Sequence, residues 1–473
     1  MLRRRALAAG TAVLALALGL SACTGGGTPD PVLPTPTGKP EPVSITFGAY
    51  GSPSEVKAME KVVDSFNSAS QMRNVELVTW RDHDEAIDAV LAGDAPDVFM
   101  TSRADVGELA AEDLVRPISL LLDERGVDFG DRYSREALDA FALDSELQCM
   151  AYSISPMVIY YNTDLVDFDA MAAQGLDVPT GTRERWTLAE FAEAAEYASR
   201  GRGVKGVWIE PTLEGLTPFI ASGGGQVFDD ASDPTSLAFS DDGTREALDD
   251  TLAVLRNPLV TPSAKAIAKT PALERFKAGK LGMIAGYRDL VPQLRKTPGL
   301  DFDVIAMPNL GAVHTVGDIE GLCISSGTES VNVAADFIAY AVSDAALETV
   351  TNAGYIVPAN THVATSELFL APDQQPHRSR VFTTAIRGMV VPPFLADRTE
   401  LNEAVEPMLL DLLTGPGVLD LEEATTAIDE ASRAVLDPEA QPTDEPTTES
   451  PTGKPSSTAT PESAPRDGRR SRE

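Results

Sequence analysis

The side chains that could carry out chemistry are scattered along this sequence and do not fall into the spacings that enzymes use. No H-E-x-x-H pair, G-x-S-x-G, P-loop or C-x-x-C motif is present; the histidines are His83, His314, His362 and His377. Aspartate and glutamate are abundant, so a catalytic carboxylate pair of the glycosidase type stays an open alternative. We expect no catalytic residue, no metal ion and no cofactor.

Two clusters have residue types that can bind metals but lack the rest of such a site. Asp229, Asp230 and Asp233 are not followed by the glycine and final glutamate of an EF-hand loop, so we expect a solvated turn. Tyr160 and Tyr161 are adjacent, and adjacent residues of a strand point to opposite faces. One or both of these tyrosines are therefore expected in a core.

The N-terminus has the build of an export signal. Arg3, Arg4 and Arg5 precede an apolar stretch over 6–20, which is too short to span a membrane. The following Leu20-Ser21-Ala22-Cys23 is similar to the bacterial lipobox, in which a peptidase cuts before a lipid-bearing cysteine. We expect a signal peptide over 1–22, acyl chains including palmitate on Cys23, and anchoring to the extracytoplasmic face of the cell membrane. Plain secretion is the alternative, and the arginines suit either Sec or twin-arginine export.

The composition predicts an acidic protein with more than one folded unit. The chain has 473 residues, more than a single hydrophobic core usually supports, and a net charge of -34 that disfavours nucleic acid as a partner. Residues 23–42 are rich in Gly, Pro and Thr, and residues 437–473 in Pro, Thr, Ser and Glu. We expect a disordered tether and a disordered tail on either side of a folded body.

Within this body, strand-like and helix-like segments alternate, which predicts an α/β fold. A first series has strands at 43–49, 75–80 and 97–100, with helices between them. Ligands in such sheets bind beyond the carboxyl ends of the strands. This rule selects the loops that contain Tyr50, Arg81, and Ser102 with Arg103.

A second series of the same kind follows and predicts a second lobe. Its strands are expected at 157–161, 204–209 and 281–285. Further helices are predicted at 242–256, 271–277, 331–342, 344–352, 400–414 and 421–436.

Several short motifs are weak alone but specific in their order and spacing. They are ITFGAY at 45–50, APDV at 95–98, SISPMVIYYNTDLV at 153–166, WTL at 186–188, GGG at 223–225, FKAGK at 276–280 and GYIVPA at 354–359. Behind a lipobox-like sequence, this set makes the chain from about 44 to 415 resemble the family 1 extracellular solute-binding proteins. These are the maltose-binding-protein-like group that serves bacterial ABC importers.

The resemblance implies a two-lobed periplasmic-binding-protein-like α/β fold, with hinge strands between the lobes. Each lobe is expected to be a mainly parallel sheet flanked by helices. The expected boundaries are 43–152 plus 323–362 for lobe one, and 157–317 plus 363–436 for lobe two. The candidate crossing strands lie at 150–157 and 318–325.

The resemblance also implies a function and a set of ligand-binding residues. The chain is expected to be a monomeric, non-catalytic receptor that captures a small polar solute, foremost a carbohydrate, and delivers it to the transmembrane subunits of an ABC permease. The positions that match ligand-facing places are Tyr50, Arg81, Ser102, Arg103, Ser155, Trp208, Glu210, Tyr287 and Tyr355. Rings stack on the apolar faces of sugars, and charged groups take the hydroxyls. The alternatives are a secreted glycoside-acting enzyme and a binding lipoprotein for a non-sugar solute.

The sequence has three cysteines, of which one is expected to carry lipid and two to form a disulfide. With Cys23 assigned to lipid, Cys149 and Cys323 form an even remainder in an oxidising compartment, which favours a disulfide. The resemblance places both on hinge-flanking strands that could be neighbours. Two buried free thiols are the alternative.

Overall fold

The computed structural model describes residues 42–440 with the exception of residue 144. The predicted signal peptide, nearly all of the tether, the lipidation site Cys23 and most of the tail lie outside the described residues.

The strands of the described part form two larger sheets and one short hairpin. They are β1 (Val43–Ala49), β2 (Arg73–Thr79), β3 (Val98–Ser102), β4 (Val115–Arg116), β5 (Ala142–Leu143), β6 (Glu146–Leu147), β7 (Cys149–Pro156), β8 (Val158–Asn162), β9 (Lys205–Trp208), β10 (Leu281–Gly286), β11 (Phe302–Ile305) and β12 (Gly317–Ser325).

The α-helices of the described part cover both sheets. They are α1 (Pro53–Ser68), α2 (His83–Leu91), α3 (Val106–Ala111), α4 (Ser119–Asp123), α5 (Arg135–Asp139), α6 (Phe168–Ala173), α7 (Leu188–Ala198), α8 (Leu213–Ser222), α9 (Asp242–Leu255), α10 (Ala264–Lys269), α11 (Ala272–Lys277), α12 (Leu290–Arg295), α13 (Val331–Ala341), α14 (Asp344–Thr351), α15 (Thr361–Ala364), α16 (Glu367–Leu370), α17 (Arg380–Ala385), α18 (Arg398–Thr414) and α19 (Leu421–Leu436).

Local sequence signals fix where the helices begin. Ser52 caps α1 by accepting a hydrogen bond from the Glu55 backbone N–H at 3.3 Å, and Pro53 occupies the first helical position, where no N–H is needed. Thr187 and Glu190 form a reciprocal capping box at the start of α7. These polar starts leave the apolar face of each helix free to pack on a sheet.

The first sheet has the order β2-β1-β3-β12-β4, and β7 also pairs with β12; the second has the order β11-β8-β10-β9. The two-sheet architecture agrees with the predicted two-lobed α/β fold. The expectation that each sheet is mainly parallel is wrong. Strand β12 is antiparallel to β3, β4 and β7, and β8 is antiparallel to β10 and β11. These strands enter without the helical crossover that parallel pairing requires.

The crossing segments lie side by side. Strands β7 and β12 are antiparallel partners, and their register places Cys149 opposite Cys323. These two residues form a disulfide, with their Cα atoms 4.4 Å apart, which confirms the predicted bond. Strand β8 begins two residues after β7 ends, so the chain passes directly from the first sheet into the second.

Two buried clusters hold the described part together. The larger contains residues of both sheets, including Phe47, which packs on Phe337 with ring centroids 4.9 Å apart. The smaller lies around Trp186, whose indole N–H donates to the Ala306 carbonyl at 2.8 Å. No helix within residues 42–440, residue 144 aside, is long and apolar enough to cross a membrane. The lobe boundaries stay a prediction.

Candidate functional site

A cavity of about 340 Å³ is enclosed by segments that belong to both sheets. The loop after β3, the start of β12, the loop after β10, helix α8 and the chain around the start of α18 all contribute to its wall. Its lining residues are Ser102, Arg103, Ala104, Leu213, Glu214, Thr217, Val227, Phe228, Tyr287, Asp289, Val316, Gly317, Asp318, Ile319, Val390, Pro392, Pro393, Leu395, Arg398, Leu401 and Asn402. Its size suits a small organic molecule.

Three of the sequence-predicted residues line this cavity, namely Ser102, Arg103 and Tyr287. Two others lie next to residues of its wall. Tyr50 is buried and its hydroxyl hydrogen-bonds Glu320, and the Ser155 hydroxyl accepts the Arg288 backbone N–H at 2.9 Å. The strand-end rule, through Tyr50, Ser102 and Arg103, and the resemblance, through Ser155 and Tyr287, lead to the region of the cavity.

The other four predicted residues are not part of the cavity wall. Arg81 is exposed and pairs with Asp82 at 2.7 Å, whereas Trp208 is buried in β9 beside β10. Glu210 is exposed, and Tyr355 packs against the larger buried cluster. A role in binding stays a prediction for all nine residues.

Arg103 is held by backbone carbonyls. Its Nε donates to the Ala140 carbonyl at 3.1 Å and its Nη1 to the Pro393 carbonyl at 3.2 Å, while its guanidinium carbon lies 3.9 Å from the centroid of the Phe394 ring. Burial, and secondly the charge of Arg398, lower the pKa of Arg103 to about 10. Arg103 therefore keeps its charge at neutral pH and ties the first sheet to residues 393 and 394.

We name the chain between residues 390 and 397 the connecting segment, because it precedes α18. Four of its residues, Val390, Pro392, Pro393 and Leu395, give the cavity an apolar wall. Gly107 of α3 allows close contact with this segment: a Cβ at Gly107 would lie 3.2 Å from the backbone N and O of Leu395. A larger residue at 107 would push the segment away from the first sheet.

Two carboxyl groups with a raised pKa line the cavity. Asp318 and Asp289 line it, and burial raises the pKa of both carboxyls. The pKa of Asp289 rises to about 6, with a second contribution from the charge of Asp318, although the side chain remains open to solvent in the cavity. His83 and Arg398 oppose the rise in the pKa of Asp318.

Two further carboxyls, Glu55 and Glu320, lie near Asp289 and Asp318 but outside the cavity wall. Burial raises the pKa of Glu55 to about 7; a hydrogen bond from the Ser52 backbone opposes the rise, and the charges of Asp289 and Asp318 add to it. The pKa of Glu320 is raised by burial and then by the charges of Asp318 and Glu55. Glu55, Asp289, Asp318 and Glu320 are called the carboxylate cluster below.

The nearby cations already have partners. His83 Nε2 lies 2.6 Å from Asp105 Oδ2, and this contact raises the pKa of His83 to about 8. Arg398 Nη2 lies 2.7 Å from Glu214 Oε1. No member of the carboxylate cluster forms an ion pair within the described residues.

The two clusters with metal-binding residue types have structural surroundings. Asp229 and Asp230 accept backbone N–H groups from the turn that follows them, including Ser232 N and Thr235 N, both at 2.8–2.9 Å. Tyr160 and Tyr161 are both buried. Among the residues that the structure describes, no three His, Cys, Asp or Glu side chains are placed to hold a metal ion.

Sequence reasoning missed Asp289, Asp318, Glu214 and the connecting segment. One signal was available for Asp318 and Glu320: two carboxylates two residues apart in a predicted crossing strand point to the same face of that strand. The Pro392-Pro393 pair marks a non-helical stretch. No local pattern indicates that this stretch faces the loop after β3.

Two sheets with covering helices contribute to a cavity that has polar and apolar walls, an arrangement that suits a solute-binding protein. The chain belongs to the family described as bacterial extracellular solute-binding protein, whose profile matches residues 61–374. A sequence comparison with curated proteins gives no match.

Solved structures with the same fold were found at low sequence identity. An ABC substrate-binding protein of Listeria monocytogenes, in complex with cycloalternan, is 20% identical with a TM-score of 0.71 over 83% of this chain and 98% of that one. A sugar-binding protein of Xanthomonas citri is 15% identical, with a TM-score of 0.69 over 84% and 98%. A Streptomyces glaucescens receptor solved with acarbose is 17% identical, with a TM-score of 0.67 over 83% and 98%. These likenesses concern the fold.

Proposed function

We propose that this protein is a receptor that binds a carbohydrate in the cavity and delivers it to the transmembrane subunits of an ABC permease. The observation that supports this most is the mixed wall of the cavity. The Tyr287 ring and the connecting segment offer apolar surface, and Asp289, Asp318 and Arg398 offer charged hydrogen-bonding groups. A sugar has both apolar C–H faces and hydroxyls, so it would use both kinds of wall.

The proposal extends to how the solute is held. Residues on both sheets contribute to the wall, so a ligand that touches both would favour the arrangement in which the lobes are close. Ser102, Arg103 and Tyr287 are the predicted site residues with the best support, because they belong to this wall. The permease would then recognise the ligand-bound form.

The proposal also includes the location of the receptor. The lipobox-like Leu20 to Cys23 supports a diacylglycerol anchor on Cys23 at the extracytoplasmic face of the membrane. The folded body would act as a monomer that changes no bond in its ligand. Its family consists of solute-binding proteins, which supports a non-catalytic role.

Thermal-shift screening of the purified protein tests this function. Mono- and oligosaccharides, polyols and amino acids are compared, since a ligand that binds the native state raises the melting temperature. We expect the largest rise from a carbohydrate. A rise with amino acids alone would contradict the carbohydrate proposal, and turnover of a glycoside that is lost in Asp318→Asn would favour an enzyme.

A further inference from the structure

The carboxylate cluster is assembled from both sheets. Asp318 and Glu320 are on β12, opposite Ser155 and Ser153 of β7, and Glu55 is in the first turn of α1. Asp289 follows β10 of the second sheet, and its neighbour Arg288 donates its backbone N–H to Ser155. This hydrogen bond brings the loop that carries Asp289 next to the strand pair that carries Asp318.

Glu55 and Glu320 are packed closely against the residues that follow β1. A Cβ at Gly51 would lie 2.5 Å from Glu55 Oε2, and Gly51 has a φ of +132°, which L side chains rarely adopt. The Tyr50 hydroxyl beside it is bonded to Glu320. The first sheet therefore fixes two carboxylates behind the cavity.

No member of this cluster forms an ion pair within the described residues, although the charges of His83 and Arg398 act on Asp318. His83 is paired with Asp105 and Arg398 with Glu214, and the charged guanidinium of Arg103 is held by two carbonyl groups. Like charges that converge from two sheets repel one another. A cation in the cavity would reduce this repulsion and would hold the two sheets together.

The cavity itself points to the kind of cation. It is large enough for an organic molecule, and its wall away from the carboxylates includes Val390, Pro392 and Leu395. A bare metal ion would leave this apolar wall unused, and the described residues contain no group of three ligands for one. A solute with a charged group on one side and C–H surface on the other fits both walls.

We infer that the cavity selects a sugar-like solute that carries a protonated amine, with the amine held at Asp289 and Asp318. This inference rests on the proposed function and narrows its substrate class to amino sugars and similar amino polyols. Ammonium hydrogen bonds to carboxylates are stronger than those between neutral groups, so the amine would outweigh a hydroxyl at the same position.

Isothermal titration of the full chain with four probes tests the inference. The probes are fully deacetylated chitotriose, triacetylchitotriose, maltotriose and spermidine. The deacetylated trisaccharide is expected to bind at least about tenfold more tightly than the two neutral trisaccharides. Equal or tighter binding of a neutral trisaccharide would overturn the inference and leave the carbohydrate function intact.

The remaining outcomes separate the two proposals. Binding of spermidine without any trisaccharide would support recognition of an amine and contradict the carbohydrate function. Absence of binding by both amine probes would overturn the inference, whatever the neutral sugars do.

Matched substitutions locate the amine. Asp289→Asn and Asp318→Asn each remove one charge with little change of shape, and each should weaken deacetylated chitotriose about tenfold or more. Asp249→Asn makes the same change at an exposed position of α9 and should leave the affinity unchanged. Melting temperatures show that each variant is folded. Undiminished amine affinity in both cavity variants would overturn the assignment.

Discussion

Arg103 lines the cavity and also forms structural hydrogen bonds. It is 8% exposed, and two of its nitrogens donate to carbonyl groups that are far apart in sequence. A lysine could not supply this planar pair of donors. The same side chain that lines the cavity therefore also holds the connecting segment in place.

We predict that Arg103→Ala lowers the free energy of unfolding by about 2 kcal/mol, because two buried carbonyls lose a charged donor. Ligand affinity should fall with it, since the connecting segment loses its tie to the first sheet. Chemical denaturation and titration calorimetry measure the two effects. Unchanged stability together with lost affinity would show instead that Arg103 acts mainly on the ligand.

The sequence predicted some of the cavity residues and missed others for a physical reason. Ser102 ends β3 and Arg103 follows it, so the rule that ligands lie beyond strand ends applies to them directly, whereas Tyr287 was predicted from the family resemblance. Asp289 and the connecting segment reach the cavity through tertiary packing. No periodicity in the chain encodes which loop faces which.

The chain leaves the first sheet after β7 and returns to it at β12. These two strands pair antiparallel, and the disulfide joins Cys149 and Cys323 at the end of the ladder away from the cavity residue Asp318. The bond closes a loop with a sequence separation of 174 residues. It therefore restricts the unfolded chain strongly and holds the register of the two strands in the folded one.

We predict that the Cys149→Ser and Cys323→Ser double variant is less stable than the wild type by up to about 5 kcal/mol, the upper value for closing so long a loop. Denaturation without reductant compares the two proteins. As a control, a Cys23→Ser chain that is denatured without reductant should show no reactive thiol. Two reactive thiols in that chain would contradict the bond.

The elements themselves were largely predictable. Alternating apolar patterns and caps such as Ser52 and Thr187 are local signals, and α19 begins and ends where its apolar face predicts. The direction of β8 and β12 was not, because strand pairing depends on partners far away in sequence. A resemblance to a family supplied the two-lobed arrangement that local patterns could not.

For the whole molecule, the charge near the cavity predicts how stability depends on pH. The pKa of Glu55 rises from 4.5 to about 7, that of Asp289 from 3.8 to about 6, and that of His83 from 6.5 to about 8. The folded state therefore binds more protons than the unfolded state between these limits, so stability is lost as the pH rises. Carboxyls with a lowered pKa, such as Asp97, change their protonation on folding only around and below pH 3.8. They therefore do not oppose the loss of stability at higher pH.

We predict that the free energy of unfolding of the empty protein falls as the pH rises from about 4.5 to about 8. Glu55→Gln should flatten the part of this curve between pH 4.5 and about 7, because it removes the titrating group. Denaturation at a series of pH values measures both curves. A stability that increases over this range would contradict the placement of the carboxylate cluster.

Binding of the solute in the cavity is tested by calorimetric titration of one pair of variants. Tyr287 lines the cavity, whereas Tyr197 on α7 packs away from it beside Arg200. With the sugar that gives the largest thermal shift, we expect one site in the wild type. Tyr287→Ala should lose about 1 to 3 kcal/mol of binding free energy, and Tyr197→Ala should lose none. Equal affinity in the wild type and both variants would show that the solute does not bind in this cavity.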